Sequence, residues 1–290
     1  FFFKQKTAYE IPKRDWSSDV CSSDLYTGGH CNRVPELTMM LAEAVNNTKV
    51  GPLKDFAMTD GDRYELRIAG LLHDCGKITT PVHVVDKATK LETIYDRIHL
   101  IETRFEIIKR DLKMARLEGR LSDQELAEQL AQVDKDCAFL RHTNVGGEFM
   151  RDEDVARAKE ISTKYRWVDS SGAENNFLTD DEVKNLTIRA GTLTGEERKV
   201  INHHIDLTIN MLEALPWPKH LTNVPEYAGG HHERMDGKGY PRGLTRDQMS
   251  IQARCMGIAD IFEALTAKDR PYKKGKTDRK STRLNSSHVS

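Results

Sequence analysis

The string HHERMDGKGYPRGL, His231 to Leu244, combines metal-binding and phosphate-binding residue types within a single turn-forming segment. Two adjacent histidines close a predicted helix. Their Cβ directions differ by roughly 100° at 3.6 residues per turn, so they reach two neighbouring metal positions rather than one. Asp236 adds a carboxylate. Gly237 and Gly239 permit a tight turn, and Pro241 stiffens its exit. Arg234, Lys238 and Arg242 surround that turn with positive charge suited to a phosphate-bearing ligand. Taken alone, the pair also fits a capped helix end followed by a surface turn.

HDCGK, His73 to Lys77, is the second constellation. It ends a strongly apolar helix, where a buried His–Asp pair is costly unless paired or ligated. Lys77 lies one turn beyond His73 and can hold an anion. The third is Asp260 in GIADIFEAL, set among Ile258, Ile261, Phe262 and Leu265. A carboxylate there needs a partner, and a metal would be one; a partly exposed helix edge is the plainer alternative for both. Nitrogen and oxygen donors without thiolate suit iron, manganese, zinc or nickel better than copper(I) or an iron–sulfur cluster. Four or five histidines with two carboxylates exceed one tetrahedral site, so a dinuclear centre is the economical expectation. Two such ions activate water and clamp an in-line phosphoryl displacement.

The elements that must carry these residues are almost all helical. Leu37, Met40, Leu41 and Val45 share one face of a helix over 36–45, with Pro35 in its first turn. Asp60 or Asp62 caps the next helix, and Gly76 suits its end. TTPVHVV reads as an extended loop. Amphipathic helices are predicted over 88–118, 122–141 and 152–166, then a loop over 168–180. Thr194 with Glu197 forms a capping box opening one helix over 194–215, which Pro216 and Pro218 end. Further helices cover 222–232 and 246–267. The fold class expected is all-α.

Composition removes several other classes. Lys+Arg is 44 and Asp+Glu 45, a net of −1, which disfavours coating a nucleic-acid polymer or an anionic membrane. No apolar run approaches the ~20 residues of a transmembrane helix. Five cysteines without a CxxC pair fit reduced thiols in a cytoplasmic protein. GKIT at Gly76 lacks the P-loop pattern, and no GxSxG elbow occurs.

The ends read as foreign. A DNA strand encoding DRKSTRLNSSH, residues 278–288, has a complement that reads DWSSDVCSSD in another frame. That is the string Asp15 to Asp24. Residues 1–25 and 278–290 are therefore expected to be translated sequencing adapter, leaving 26–277 as a domain truncated at both ends.

GLLHDCGK, GGHHERMDGKGYPRGL and ADIFEALTAKDRPYKK together resemble the HD-GYP domain of the HD phosphohydrolase superfamily, and YTGGHCNRVPEL looks like its first helix. The resemblance covers 26–105 and 190–277. Residues 106–190 then form a helical insertion, either a surface hairpin or a docking surface. The resemblance implies an HD-type helical bundle with two divalent metal ions, iron or manganese favoured, that hydrolyses cyclic di-GMP to linear dinucleotide or GMP. It implies His30, His73, Asp74, His231, His232 and Asp260 as metal ligands, with Asp74 bridging and Lys77 neutralising phosphate as the catalytic pair. Arg270 and Lys273 match phosphate-contacting positions. Asp236 and Tyr240 belong to the signature loop, where substrate lies.

One further histidine ligand has two candidates, His99 and His204. His204 is preferred, because LTGEE opens its helix and Leu193 lies eleven residues before it, whereas Leu91 lies eight before His99. Some family members place a third-metal carboxylate where this chain has Tyr26, which argues against a trinuclear centre. Expected partners are the cyclic dinucleotide, a second copy of the chain, or an upstream sensory or receiver domain. The competing readings are an HD phosphohydrolase for another nucleotide and a module that binds without cleaving.

Overall fold

The computed structural model describes residues 25–147 and 149–267. The arginine and lysine at 270 and 273, and the two segments read as adapter apart from Leu25, lie outside them. In chain order the helices are α1 (Leu25–Asn46), α2 (Asp60–Leu72), α3 (Val82–Val85), α4 (Ile98–Leu117), α5 (Asp123–Asn144) and α6 (Asp152–Lys164). The strands β1 (Arg166–Val168) and β2 (Glu174–Asn176) pair antiparallel, Trp167 opposite Asn175. Then come α7 (Asp180–Leu186), α8 (Gly195–Asn202), α9 (His204–Glu213), α10 (Val224–Gly229) and α11 (Ile251–Thr266). The all-α expectation holds: among the described residues one short hairpin is the whole sheet content.

The chain divides into two compact units, Phe1–Thr80 with Asn202–Ser290, and Pro81–Ile201. In the first, α1 packs against α2 and α11, and α10 against α2, α9 and α11. Leu66, Ala69, Leu212, Val224 and Met256 form its core. α9 lies on the 3₁₀ turn Cys75–Thr79. There Gly76 is required, because a Cβ would sit 2.1 Å from the His204 carbonyl oxygen and 2.6 Å from the Thr208 nitrogen. The Gly76 N–H donates to Thr208 Oγ1 at 2.9 Å, locking the HDCGK turn to the start of α9.

The second unit has its own core around Phe105, Leu140, Ile161 and Phe177. It is wider than 106–190, because Leu91 and Ile98 belong to that core and draw the preceding segment in.

Several element boundaries differ from expectation, mostly through side chains bonding to backbone. α1 begins near residue 25, so Pro35 is inside it, packed against Gly70 of α2. Thr59 rather than an aspartate caps α2, in a capping box with Asp62, and the helix ends at Leu72, before Gly76. Val82–Val85 is a helical turn rather than extended loop. The helix predicted from 88 begins at Ile98, since Glu92 accepts from the N–H groups of Ala88 and Thr89 and Asp96 from that of Ile98. Residues 168–180 contain half of the hairpin, turned by Asp169 accepting from the N–H groups of Ser171 and Ala173. The Thr194–Glu197 box is present, but its helix breaks at His203. The helix predicted over 222–232 is only Val224–Gly229, and the last helix starts at Ile251, capped by Ser250.

Candidate metal centre

Each constellation arrives on a different element of the first unit. His30 sits on α1, His73 and Asp74 just after α2, His204 at the start of α9, His231 and His232 just after α10, and Asp260 on α11. All but His232 are buried. His30 Nε2 lies 3.4 Å from Asp74 Oδ2 and 3.1 Å from Asp260 Oδ1. His73 Nε2 lies 3.2 Å from Asp74 Oδ2, and His204 Nε2 3.2 Å from Asp74 Oδ1. Two groups of potential ligand atoms, each within 4.8 Å of one another, share Asp74: His30, His73 and Asp74; and Asp74, His204, His231 and His232. His99 belongs to neither group. It is exposed on α4, where it pairs with Glu102.

The donor chemistry fits a cation. His73 Nδ1 lies 2.7 Å from the Gly70 carbonyl and His231 Nδ1 2.6 Å from that of Ala228, and a carbonyl only accepts. Nδ1 therefore donates in each ring, and Nε2 is the atom turned inward. His30 Nδ1 bonds Glu263 Oε2 at 2.5 Å, which aims its Nε2 at Asp74 and Asp260, and the carboxylates around it favour positive charge there. The Nε2 atoms thus converge on carboxylate oxygens. His231 Nε2 is buried with no hydrogen bond, 3.8 Å from Asp74 Oδ1. Facing lone pairs repel unless an electropositive centre lies between them, and ring tautomers fixed from behind are how proteins orient metal ligands.

The electrostatics agree. Burial opposes charge on His30, but Asp260, Asp74 and Glu263 outweigh it and push the imidazole up to about 11. Burial holds His232 down to about 4 and His231 well below its usual range, helped there by His232 and His73. Both rings keep lone pairs at neutral pH. Burial alone would raise Asp74 and Asp260. Lys77 nonetheless holds Asp74 well below the usual carboxylate range, and the hydrogen bond from His30 does so for Asp260. Lys77 Nζ is 2.6 Å from Asp74 Oδ2, on the side of the HDCGK turn.

The loop that follows His232 closes beside these residues. Tyr240 stacks on His232, ring centroids 4.8 Å apart and planes 16° apart. Gly239 is needed where the loop folds back, because a Cβ would meet Arg234 N at 2.3 Å. Asp236 is exposed and serves its own loop: it pairs with Arg234 and accepts from the Lys238 N–H at 3.0 Å.

Two functional carboxylates were not anticipated. Glu263, 2% exposed, joins His30 to Arg33, whose Nε lies 2.6 Å from Oε1. Its position three residues after Asp260, like that of Arg33 three after His30, is the signal that identifies a second pair on the same helix faces. Glu233 accepts from the N–H groups of Arg242 and Leu244 at 2.7 and 2.9 Å and so pins the loop.

Two family models, each described as HD domain, match residues 27–155 and 180–285. The chain is similar to HD domains over both segments. Over 85 residues, 29% of this chain, it is 40% identical to a "3'3'-cGAMP-specific phosphodiesterase 3" of Vibrio cholerae, covering 18% of that protein. Over 87 residues, 30% of this chain, it is 39% identical to a cyclic di-GMP phosphodiesterase of Pseudomonas aeruginosa, covering 20%. Over 92 residues, 32% of this chain, it is 34% identical to a cyclic di-GMP phosphodiesterase response regulator of Xanthomonas campestris, covering 24%. The chain therefore spans only about a fifth of the length of these relatives. Among the described residues no helix is long and apolar enough to cross a membrane.

Proposed function

We propose that the chain is a metal-dependent phosphodiesterase of the HD-GYP type that hydrolyses cyclic di-GMP. The observation that carries this reading is the sharing of Asp74 by two histidine-rich ligand groups. His30, His73 and Asp260 would hold one divalent ion, and His204, His231 and His232 the other, with Asp74 between; iron or manganese suits these donors. Bound ions would supply Lewis acidity and lower the pKa of a water to near 7. The chain's own part is to fix charge and geometry. Asp74 stays ionised, Lys77 offers positive charge to a phosphoryl oxygen, and Tyr240 braces His232 against rotation. Arg270 and Lys273 follow α11 and would contact substrate phosphates.

The wider setting proposed is cytoplasmic signalling, with a receiver or sensory domain upstream or a second copy as partner, as the response-regulator relative suggests. Residues 1–25 and 278–290 would be adapter. A second reading, hydrolysis of the mixed dinucleotide cGAMP, draws on the name of the Vibrio cholerae relative. The test is incubation of iron- or manganese-loaded protein with each cyclic dinucleotide. Linear product is expected. Binding without turnover at every metal loading overturns the enzyme reading in favour of a signalling module.

A further inference from the structure

A cleft of about 190 Å³ is lined in part by His231 and His232. Its walls come from Met249, Ile258 and Ile261, and Arg254 of α11 lines it. Whole small-molecule sites run to about 300–1,000 Å³, so this cleft takes part of a ligand rather than all of it. Its continuity with two proposed metal ligands says which ligand. A phosphodiester held at the ions must put the groups attached to it into adjoining space.

Two arginines line the cleft, and they differ. Arg234 is spent on Asp236 at 2.8 Å. Arg254 is half-buried and makes no ion pair among the described residues; its Nε donates to the Ser250 carbonyl at 3.3 Å. Glu233 also lines the cleft, but its carboxylate accepts from the N–H groups of Arg242 and Leu244, so the Arg254 guanidinium has donors to offer a ligand. Methionine and isoleucine walls suit a flat heterocycle, with favourable sulfur–aromatic contact. The planar guanidinium fork matches the adjacent O6 and N7 acceptors of guanine, whereas adenine offers a donor in place of O6.

We propose that this cleft is a nucleobase subsite in which Arg254 selects guanine over adenine. The proposal rests on the cyclic-dinucleotide reading above and deepens it. Both cyclic di-GMP and cGAMP carry a guanine, so both are ligands, and cyclic di-AMP is the discriminating probe. Metal-loaded full-length protein, Arg254→Gln and Arg254→Lys are titrated with cyclic di-GMP and cyclic di-AMP, with metal content measured on each. Wild type is expected to prefer cyclic di-GMP. Both variants are expected to lose about ten- to a hundredfold in cyclic di-GMP affinity, with cyclic di-AMP affinity and metal content unchanged. The lysine variant keeps the stem and charge, so its loss isolates the fork. Equal affinity of wild type for the two ligands overturns the proposal. So does equal weakening of both ligands, which would make Arg254 a phosphate or packing residue. Wild type binding no cyclic dinucleotide overturns the function reading first, and this subsite with it.

Discussion

Asp136 in the Pro81–Ile201 unit is 2% exposed, yet its carboxylate has four partners: Gln132, Arg157, Lys164 and Tyr165. Glu182 in the same unit is equally enclosed and is gripped by both terminal nitrogens of Arg104. Lys87 is held by Asn185 and Glu197. Asp74 in the other unit is buried to a similar degree, but beside Lys77 it faces the imidazole nitrogens of His30, His73, His204 and His231. Buried polar groups are ordinarily satisfied, because an unsatisfied one costs the desolvation it never recovers. A unit that satisfies its groups internally is using them to hold helices together. A unit that converges acceptors on acceptors is prepared for something positive. The contrast separates architecture from site without reference to any relative.

The strongest way to break that contrast is to remove its centre. Asp74→Asn keeps the size of the side chain and removes the charge shared by both ligand groups. Turnover is expected to fall by roughly a thousandfold or more, because an ion's stabilisation of the transition state is worth several kcal/mol. Metal analysis should show loss of at least one ion per chain. Full metal content and full activity in this variant would place the centre elsewhere.

Glu263 sharpens the comparison from one shell out. It is a buried carboxylate in the first unit used as Asp136 is, to fix a neighbour, and that neighbour is His30. Glu263→Gln is isosteric but weakens the grip on Nδ1. Partners of this kind typically govern metal affinity by about 10–100-fold. A chelator titration should show one ion released early and the other held as in wild type.

The candidate ligands were legible in the sequence and their supports were not, for a physical reason. His73–Asp74 and His231–His232 are short strings whose chemistry is local, and Asp260 stands out against apolar neighbours. Glu263 and Glu233 look like ordinary helix and loop acids until the fold buries them. Helix existence was also readable from apolar period and capping boxes such as Thr194–Glu197. Boundaries were not, where Glu92, Asp96 and Asp169 bond backbone from the side chain and outcompete helix continuation. Gly76 was taken as a helix end, whereas its role depends on His204, far along the chain.

Lys90 is where the second unit departs from its own rule. Its amine is 2% exposed, donates to the Leu186 carbonyl at 2.9 Å and touches Met150 Sδ, with no ion pair among the described residues. Burial pushes it down to about 8 from 10.5, against a weaker upward pull from Asp154. Between those two values the unfolded chain holds the extra proton. Stability should therefore rise with pH across that window, by at most about 1.4 kcal/mol per pH unit, and be flat in this contribution below about pH 8. Urea midpoints at pH 7 and 9.5 should show this rise in wild type and lose it in Lys90→Met. An identical pH response in the variant would mean the amine is not desolvated.

The smallest expected effect belongs to the pair of histidines that sequence left competing. His99 and His204 both sit in amphipathic helices at plausible distances from their neighbours. The structure separates them by burial and company. His204 is 3% exposed and faces Asp74, while His99 is exposed in the unit whose charges are already paired. His99→Ala removes only a surface contact with Glu102, worth about 0–1 kcal/mol, so metal content and turnover should match wild type. His204→Ala removes a donor from the group that also contains His231 and His232, and should lose an ion. Loss of metal from His99→Ala with retention in His204→Ala would reverse the division between the two units, since the site would then draw on the unit whose buried charges are internally satisfied.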